Sequence, residues 1–209
     1  MKKTSPIRIL ICDDHFIVRM GLTAMINAET DMEIVGEATD GGEAVAMFAR
    51  FKPDVMLLDI RMPVVNGVDV ATTIRKQNKN ARILILSALN GDEDIHKALE
   101  AGVAGYVLKD ATEESLIPAI RAVAAGERWI PQDVASRLAA RNSFEELTSR
   151  ELQVLNKLIK GMANKQIADA LNISENTVKG FLKNILAKLR VDDRTEAVAV
   201  AIQRGIIHF

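Results

Sequence analysis

The chain has 209 residues, 48% hydrophobic and 26% charged, with a formal net charge of −1; this is an ordinary soluble composition, long enough for one large domain or two small ones. Its one cysteine, Cys12, excludes an internal disulfide, suits a reducing compartment and lies in an apolar run, as a buried structural thiol does. No apolar stretch approaches the ~20 residues of a membrane helix and the N-terminus lacks the apolar core of a signal peptide, so a cytoplasmic protein with no membrane partner is expected.

Five short apolar runs come first: Ile7–Cys12, Glu33–Ala38, Val55–Leu58, Arg82–Leu86 and Gly105–Leu108. Longer amphipathic stretches separate them. In His15–Ala28, for example, Val18, Leu22, Met25 and Ile26 share one helical face. Gly41-Gly42 reads as the start of a helix rather than a phosphate cradle, and no Walker or Rossmann glycine pattern occurs. Strands alternating with helices predict an α/β fold, a parallel sheet covered on both faces. A helix over 113–125 would contain Pro118, which should kink it or delay its start.

After Gly126 the pattern changes. "GERWIPQDVASRLAARNSFEE" reads as a linker with a little helix of its own, and Trp129 is expected to pack it against one domain. From Leu147 onward only short helices are predicted, at roughly 150–160, 164–170, 175–189 and 194–204. The expected division is therefore 1–125, a linker at 126–144, and 145–209. Residues 1–125 carry 14 Lys+Arg against 18 Asp+Glu, and residues 126–209 carry 13 against 10. Only the back half has the balance to meet a polyanion, a weak sign alone because solvated surfaces vary this much.

The chemistry gathers at strand ends, where a doubly wound sheet binds ligands. Asp13 and Asp14 follow the first apolar run and Asp59 follows the third. If strands one and three are neighbours, three carboxylates share a crevice, and their repulsion calls for a cation. Mg²⁺ suits one or two carboxylates, waters and a phosphate oxygen. Ser87 and Lys109 end the fourth and fifth runs and add a hydroxyl and an ammonium. Together the set can hold a phosphoryl group, with Asp59 as nucleophile giving an aspartyl phosphate. Each residue also has a bland reading: Asp14 as cap of the first helix, Ser87 as a turn residue, Lys109 as a solvated charge. Four strand ends agreeing is much harder to obtain that way. His15, His96 and His208 are too scattered for a metal site of their own.

"ILICDDH", "VMLLDIRMPVVNG", "ILILSA" and "GYVLKD" resemble the strand-end motifs of response-regulator receiver domains, in order and at their usual spacing. The resemblance covers residues 7–125. It implies a flavodoxin-like strand order 2-1-3-4-5. It also implies Asp59 as phosphoacceptor and Asp13, Asp14, Asp59 and the Arg61 carbonyl as Mg²⁺ ligands. Ser87 takes the place of the switch hydroxyl, Tyr106 the switch aromatic, and Lys109 the phosphate-binding lysine. Two departures stand out. Asp110 follows the lysine where many receivers have proline after a cis bond, and Pro118 interrupts the last helix.

In the back half, Thr148 and Glu151 have capping-box spacing, and Ser174 is a candidate N-cap after a turn at Asn172–Ser174. The helix that follows has an apolar stripe of Val178, Phe181, Leu182, Ile185, Leu186 and Leu189. Asn176, Lys179, Gly180, Lys183 and Asn184 lie opposite. Two helices joined by a tight turn, the second basic and polar, favour a helix presented to the major groove of double-stranded DNA. Residues 145–209 resemble the LuxR-type helix-turn-helix, an all-α four-helix domain, and the whole chain resembles the NarL/FixJ class of response regulators. That resemblance implies DNA contacts by Lys179 and Lys183, with Thr177 and Asn184 close to phosphates or bases. It also implies a dimer contact from a last helix opened by Asp193 and Glu196. Gly180 and Phe181 depart from the usual reading face.

The resulting expectation is a transcription regulator, not an enzyme. Its partner histidine kinase or another phosphoryl donor phosphorylates Asp59, and the homodimer so favoured binds DNA. The alternative is a DNA-binding dimer whose receiver is silent. A phosphatase with a transient aspartyl phosphate needs a second acid two residues after the nucleophile, where this chain has Arg61.

Overall fold

The computed structural model describes residues 5–63, 65–87, 91–110, 112–141 and 145–207. The first part of the chain forms five strands, β1 (Ile7–Cys12), β2 (Met32–Ala38), β3 (Val55–Asp59), β4 (Ile83–Ser87) and β5 (Gly105–Leu108). All pair in parallel in the order β2-β1-β3-β4-β5. Between and after them run α1 (Phe16–Asn27), α2 (Gly41–Phe51), α3 (Gly67–Gln77), α4 (Asp92–Glu100) and α5 (Glu113–Ala124). Every residue of β3 and β4 is buried, as central strands covered on both faces must be. Asp59 pairs with Leu86 and Ser87 with Leu108, so both polar residues end inside the ladder rather than one residue beyond it.

Two sequence expectations are refined here. Helix α5 starts at Glu113 and runs through Pro118 without delay. Pro118 lies on the exposed face of α5, where water can reach the carbonyl that its missing N–H leaves unbonded. Among the described residues no peptide bond is cis, so the Lys109–Asp110 bond is trans.

Trp129 does pack against the core of this unit, beside residues such as Leu84, Val107 and Val123. It also forms a one-residue parallel bridge with Gly105 on the outer edge of β5. The chain divides into two compact units; the second takes in a short stretch ending at Glu93, and its main part begins with the change between Ala135 and Ser136, inside α6 (Gln132–Arg141). That point lies within the stretch expected as a linker, whose residues 142–144 are outside the described set.

The second unit contains α7 (Ser149–Ile159), α8 (Asn164–Leu171), α9 (Glu175–Leu189) and α10 (Arg194–Gln203) around a core that includes Leu155, Ile167, Val178, Ile185 and Ala201. Its helix ends follow the capping chemistry read from sequence. Thr148 and Glu151 form a reciprocal capping box. Ser174 accepts the Thr177 N–H, and Asp193 accepts those of Thr195 and Glu196. Between α8 and α9, Asn172 takes a left-handed conformation (φ 54°), which lets the chain turn within the three residues Asn172–Ser174. Among the described residues no helix is long and apolar enough to cross a membrane.

Candidate functional site

Asp13 follows β1 and Asp59 closes β3. The pairing of Cys12 with Leu58 sets the two acids side by side. Lys109, the residue after β5, reaches between them, its Nζ 2.7 Å from Asp13 Oδ2 and 2.7 Å from Asp59 Oδ2. Asp13 is fully buried, Asp59 and Ser87 nearly so, and the Lys109 backbone N–H donates to the Ser87 carbonyl. Four strand ends thus deliver two acids, a hydroxyl-bearing residue and an amine to one edge of the sheet.

Backbone donors hold the acids in place. Asp13 Oδ1 accepts the His15 N–H at 2.8 Å, and Asp59 Oδ1 accepts the Arg61 N–H at 3.2 Å. The capping reading of Asp14 does not hold: the N-cap of α1 is His15, which makes no side-chain cap bond. The loop after β3 closes with the Gly67 N–H donating to the Ile60 carbonyl at 2.8 Å. A Cβ on Gly67 would overlap the Asp59 carbonyl oxygen and come within 2.9 Å of Ile60 Cα. No side chain fits there, because the loop lies directly on the backbone that carries Asp59. Beneath the site, Cys12 Sγ sits 3.3 Å from Met62 Sδ. Burial and then the charges of Asp13 and Asp59 push its thiol up to about 12, which makes it inert, as its apolar surroundings in the sequence suggested.

The electrostatics are unbalanced. Burial pushes the Asp59 carboxyl up; Lys109 opposes the rise without cancelling it, and the Asp13 charge adds to it. Burial alone would pull Lys109 down, yet its contacts with Asp13 and Asp59 outweigh that and raise its pKa. One ammonium shared between two buried carboxylates leaves Asp59 undercompensated.

Sequence reasoning missed one participant. His15 is largely exposed but places Nδ1 2.8 Å from Asp14 Oδ1 and 3.4 Å from Asp13 Oδ1. Its position directly after Asp13-Asp14 was the available signal. His96 lies elsewhere, paired to Glu100 within α4, and His208 is outside the described residues. The side chain of Arg61 leaves the site and meets the buried Asp94 of α4 at 3.3 Å, so only its backbone remains near Asp59. Tyr106 is fully buried in β5, opposite Ile85.

On the second unit, α9 buries Val178, Ile185 and Leu189 and leaves Asn176, Thr177, Lys179, Gly180, Lys183 and Asn184 exposed. Thr177 is partly committed to the cap, its Oγ1 2.8 Å from Ser174 Oγ. Lys179 pairs loosely with Glu175 at 3.6 Å. A Cβ on Gly180 would meet nothing within 4 Å, so packing inside this unit does not require glycine there.

Residues 9–121 match the response regulator receiver domain, and residues 145–201 match the luxR family of bacterial regulatory proteins. The chain is a response regulator. It is 39% identical over 212 residues to the uncharacterized transcriptional regulatory protein YxjL of Bacillus subtilis (strain 168), covering 96% of this chain and 97% of that one. To the response regulator protein VraR of Staphylococcus aureus it is 36% identical over 206 residues, covering 96% and 99%. The crystal structure of the response regulator ChrA, from a heme-sensing two-component system, is similar with a TM-score of 0.60 and 37% identity over 98% of this chain and 100% of that one. Receiver domains of response regulators hold a divalent cation in an acidic pocket, and the donor set here fits that role. Asp13, Asp14, Asp59 and His15 each offer a ligand atom, all within 4.8 Å of one another. Three of the four are carboxylate oxygens, the donors a hard cation prefers.

Proposed function

We propose that this response regulator is switched by phosphorylation of Asp59. The observation that carries the reading is Lys109 Nζ lying 2.7 Å from both Asp13 and Asp59, three residues brought from three strand ends. An Asp59 carboxylate oxygen attacks the phosphorus of a partner histidine kinase's phosphohistidine, or of a small acyl phosphate. The acyl phosphate bond forms as the donor's P–N or P–O bond breaks. Asp59 is a basic carboxylate, because burial raises its pKa. Lys109 is placed to neutralise one phosphoryl oxygen and the Ser87 hydroxyl to donate to another. Mg²⁺ held by Asp13, Asp14, Asp59 and the Arg61 carbonyl would supply the remaining positive charge. Tyr106 then follows Ser87, and the surface of the receiver changes.

The output is binding to double-stranded DNA through α9. Its exposed Thr177, Lys179, Lys183 and Asn184 face away from the apolar stripe, and a basic second helix after a tight turn suits the major groove. The active species is a homodimer that sets two such helices about one DNA turn apart, ~10 base pairs. Phe16, Ile17 and Met20 of α1 are 63%, 79% and 56% exposed, an apolar patch of the kind that protein partners cover. We assign the receiver to residues 1–125, the linker to 126–144 and the DNA-binding domain to 145–209.

Incubation with acetyl phosphate and Mg²⁺, read by intact mass, tests this. The wild type should gain one phosphoryl group and Asp59→Asn none. Sedimentation should show dimer only in the phosphorylated sample. A chain that binds DNA equally well as a dimer with no mass gain is a silent receiver, and the proposal then fails.

A further inference from the structure

The outer edge of β5 is where the switch strand and the linker touch. An edge strand presents unpaired N–H and C=O groups, and here the linker takes two of them. The Trp129 N–H donates to the Ala104 carbonyl at 3.0 Å, and the Tyr106 N–H donates to the Trp129 carbonyl at 2.9 Å. The pair brackets Gly105, forming the one-residue parallel bridge. The fit is close. A Cβ on Gly105 would lie 2.7 Å from the Trp129 carbonyl oxygen, 2.8 Å from Leu84 Cδ1 and 3.1 Å from Trp129 Cβ. Glycine is therefore required there by the Trp129 carbonyl of the linker on one side and the Leu84 side chain on the other.

The approach to this bridge is also built. Helix α5 ends in a turn through Gly126 (φ 90°), and the Gly126 and Glu127 N–H groups bond back to Val123 and Ala122. The indole of Trp129 then packs against the core of the receiver. On its other side β5 pairs with β4, Tyr106 opposite Ile85 and Leu108 opposite Ser87, and the Lys109 N–H donates to the Ser87 carbonyl. Strand β5 thus joins the two ends: the Lys109 N–H bonds to Ser87 at one end, and the Tyr106 N–H bonds to Trp129 at the other.

We propose that the Gly105–Trp129 bridge transmits the phosphorylation state: a displacement of β5 at Tyr106 is handed to the linker because strand and linker share hydrogen bonds on both sides of Gly105. Covering an exposed edge would account for the bonds alone. It would not place them on the backbone of the buried aromatic next to the site, nor on the chain that continues into the second unit. Coupling through packed, hydrogen-bonded elements needs an element that both states bias, and β5 with its attached linker is such an element. Gly105 and Trp129 act here as positioning residues that touch neither phosphate nor DNA. The inference rests on the proposed switch at Asp59.

The test uses the full chain, acetyl phosphate with Mg²⁺, and a duplex selected from a random pool by the phosphorylated wild type. The quantity read is the ratio of DNA affinities with and without phosphoryl donor. Inserting Gly-Ser-Gly-Ser between Ile130 and Pro131 leaves the bridge intact and adds slack behind it. It should leave the mass gain at Asp59 and the unphosphorylated affinity unchanged, and lower the ratio at least threefold. Gly105→Ala should lower the ratio likewise by displacing Trp129. Trp129→Phe keeps both backbone bonds and an aromatic ring, and should retain the ratio. As the one tryptophan of the chain, Trp129 should also shift its emission on phosphorylation of the wild type and not of Gly105→Ala. A wild-type ratio preserved in the insertion variant overturns the transmission role alone. A wild type without mass gain, or with a ratio of one, overturns the Asp59 switch and the transmission role with it.

Discussion

Each unit of the molecule buries a carboxylate beside a lysine, and Glu151 and Asp59 respond in opposite directions. In the second unit Glu151 is almost fully buried, 2.8 Å from Lys188 Nζ, and accepts from the N–H and hydroxyl of Thr148. Burial alone would raise its pKa, but these donors outweigh it and hold the carboxyl below the usual glutamate range. In the first unit Asp59 shares its one lysine with Asp13 and has a single long backbone bond, so burial wins and its carboxyl rises. Counting donors separates the two. A charge fully supplied with partners stabilises its fold, while one left short of them keeps an unmet demand for positive charge.

Removing Lys109 should sharpen the contrast most. Lys109→Ala leaves two buried carboxylates facing each other, and urea unfolding without divalent cation should show a loss of roughly 3–5 kcal/mol. Added Mg²⁺ should recover part of it. If the loss is no larger than for an exposed lysine, the site is not the electrostatically strained place described here.

Glu151→Ala should cost about 1–2 kcal/mol, from the capping box and the Lys188 pair together. Because the Glu151 pKa is depressed, its contribution is present above the ordinary glutamate range and is lost as pH falls through the folded value. Asp59→Asn should do the reverse and raise stability by about 1 kcal/mol, or roughly 4 °C in melting temperature. The Asp59 pKa is raised, so the wild type is least penalised at low pH and loses stability as pH rises from the ordinary aspartate range through the folded value. The gain from Asp59→Asn should therefore appear above that window and vanish below it. Thermal melts from pH 3 to pH 7 would break the comparison if both variants drifted in the same direction.

The smallest effect on folding is expected on α9. Lys183→Ala should change stability by less than about 0.5 kcal/mol, because the side chain is solvated. The slope of log affinity against log salt for DNA should nevertheless fall by about 1 if Lys183 meets a phosphate. An unchanged isotherm at every salt concentration removes Lys183 from the interface.

How much of this could be read in advance follows from the kind of signal each feature leaves. Apolar runs that stop on Asp13, Asp59, Ser87 and Lys109 announce strand ends, and caps such as Thr148 with Glu151 announce helix starts, because both are local patterns. Their convergence needs strand order, which periodicity does not carry and which entered through the family resemblance. His15 reads as one of three scattered histidines, and the one sign of its place at the site is its position directly after Asp13-Asp14. The salt bridge from Arg61 to Asp94 joins residues 33 apart, and the bridge from Trp129 to Gly105 is one residue long. Neither leaves a periodic trace. At Gly67, only the fold reveals that the Asp59 carbonyl occupies the space a side chain would need.

The inert thiol under the site has a practical use. With Cys12 buried against Met62 and its pKa near 12, maleimides and methanethiosulfonates should pass it by at neutral pH. Spin labels or dyes can then be introduced at chosen surface cysteines in an otherwise native chain. Distances between the two halves could be followed through the phosphorylation cycle without first deleting the cysteine that packs beside Asp13.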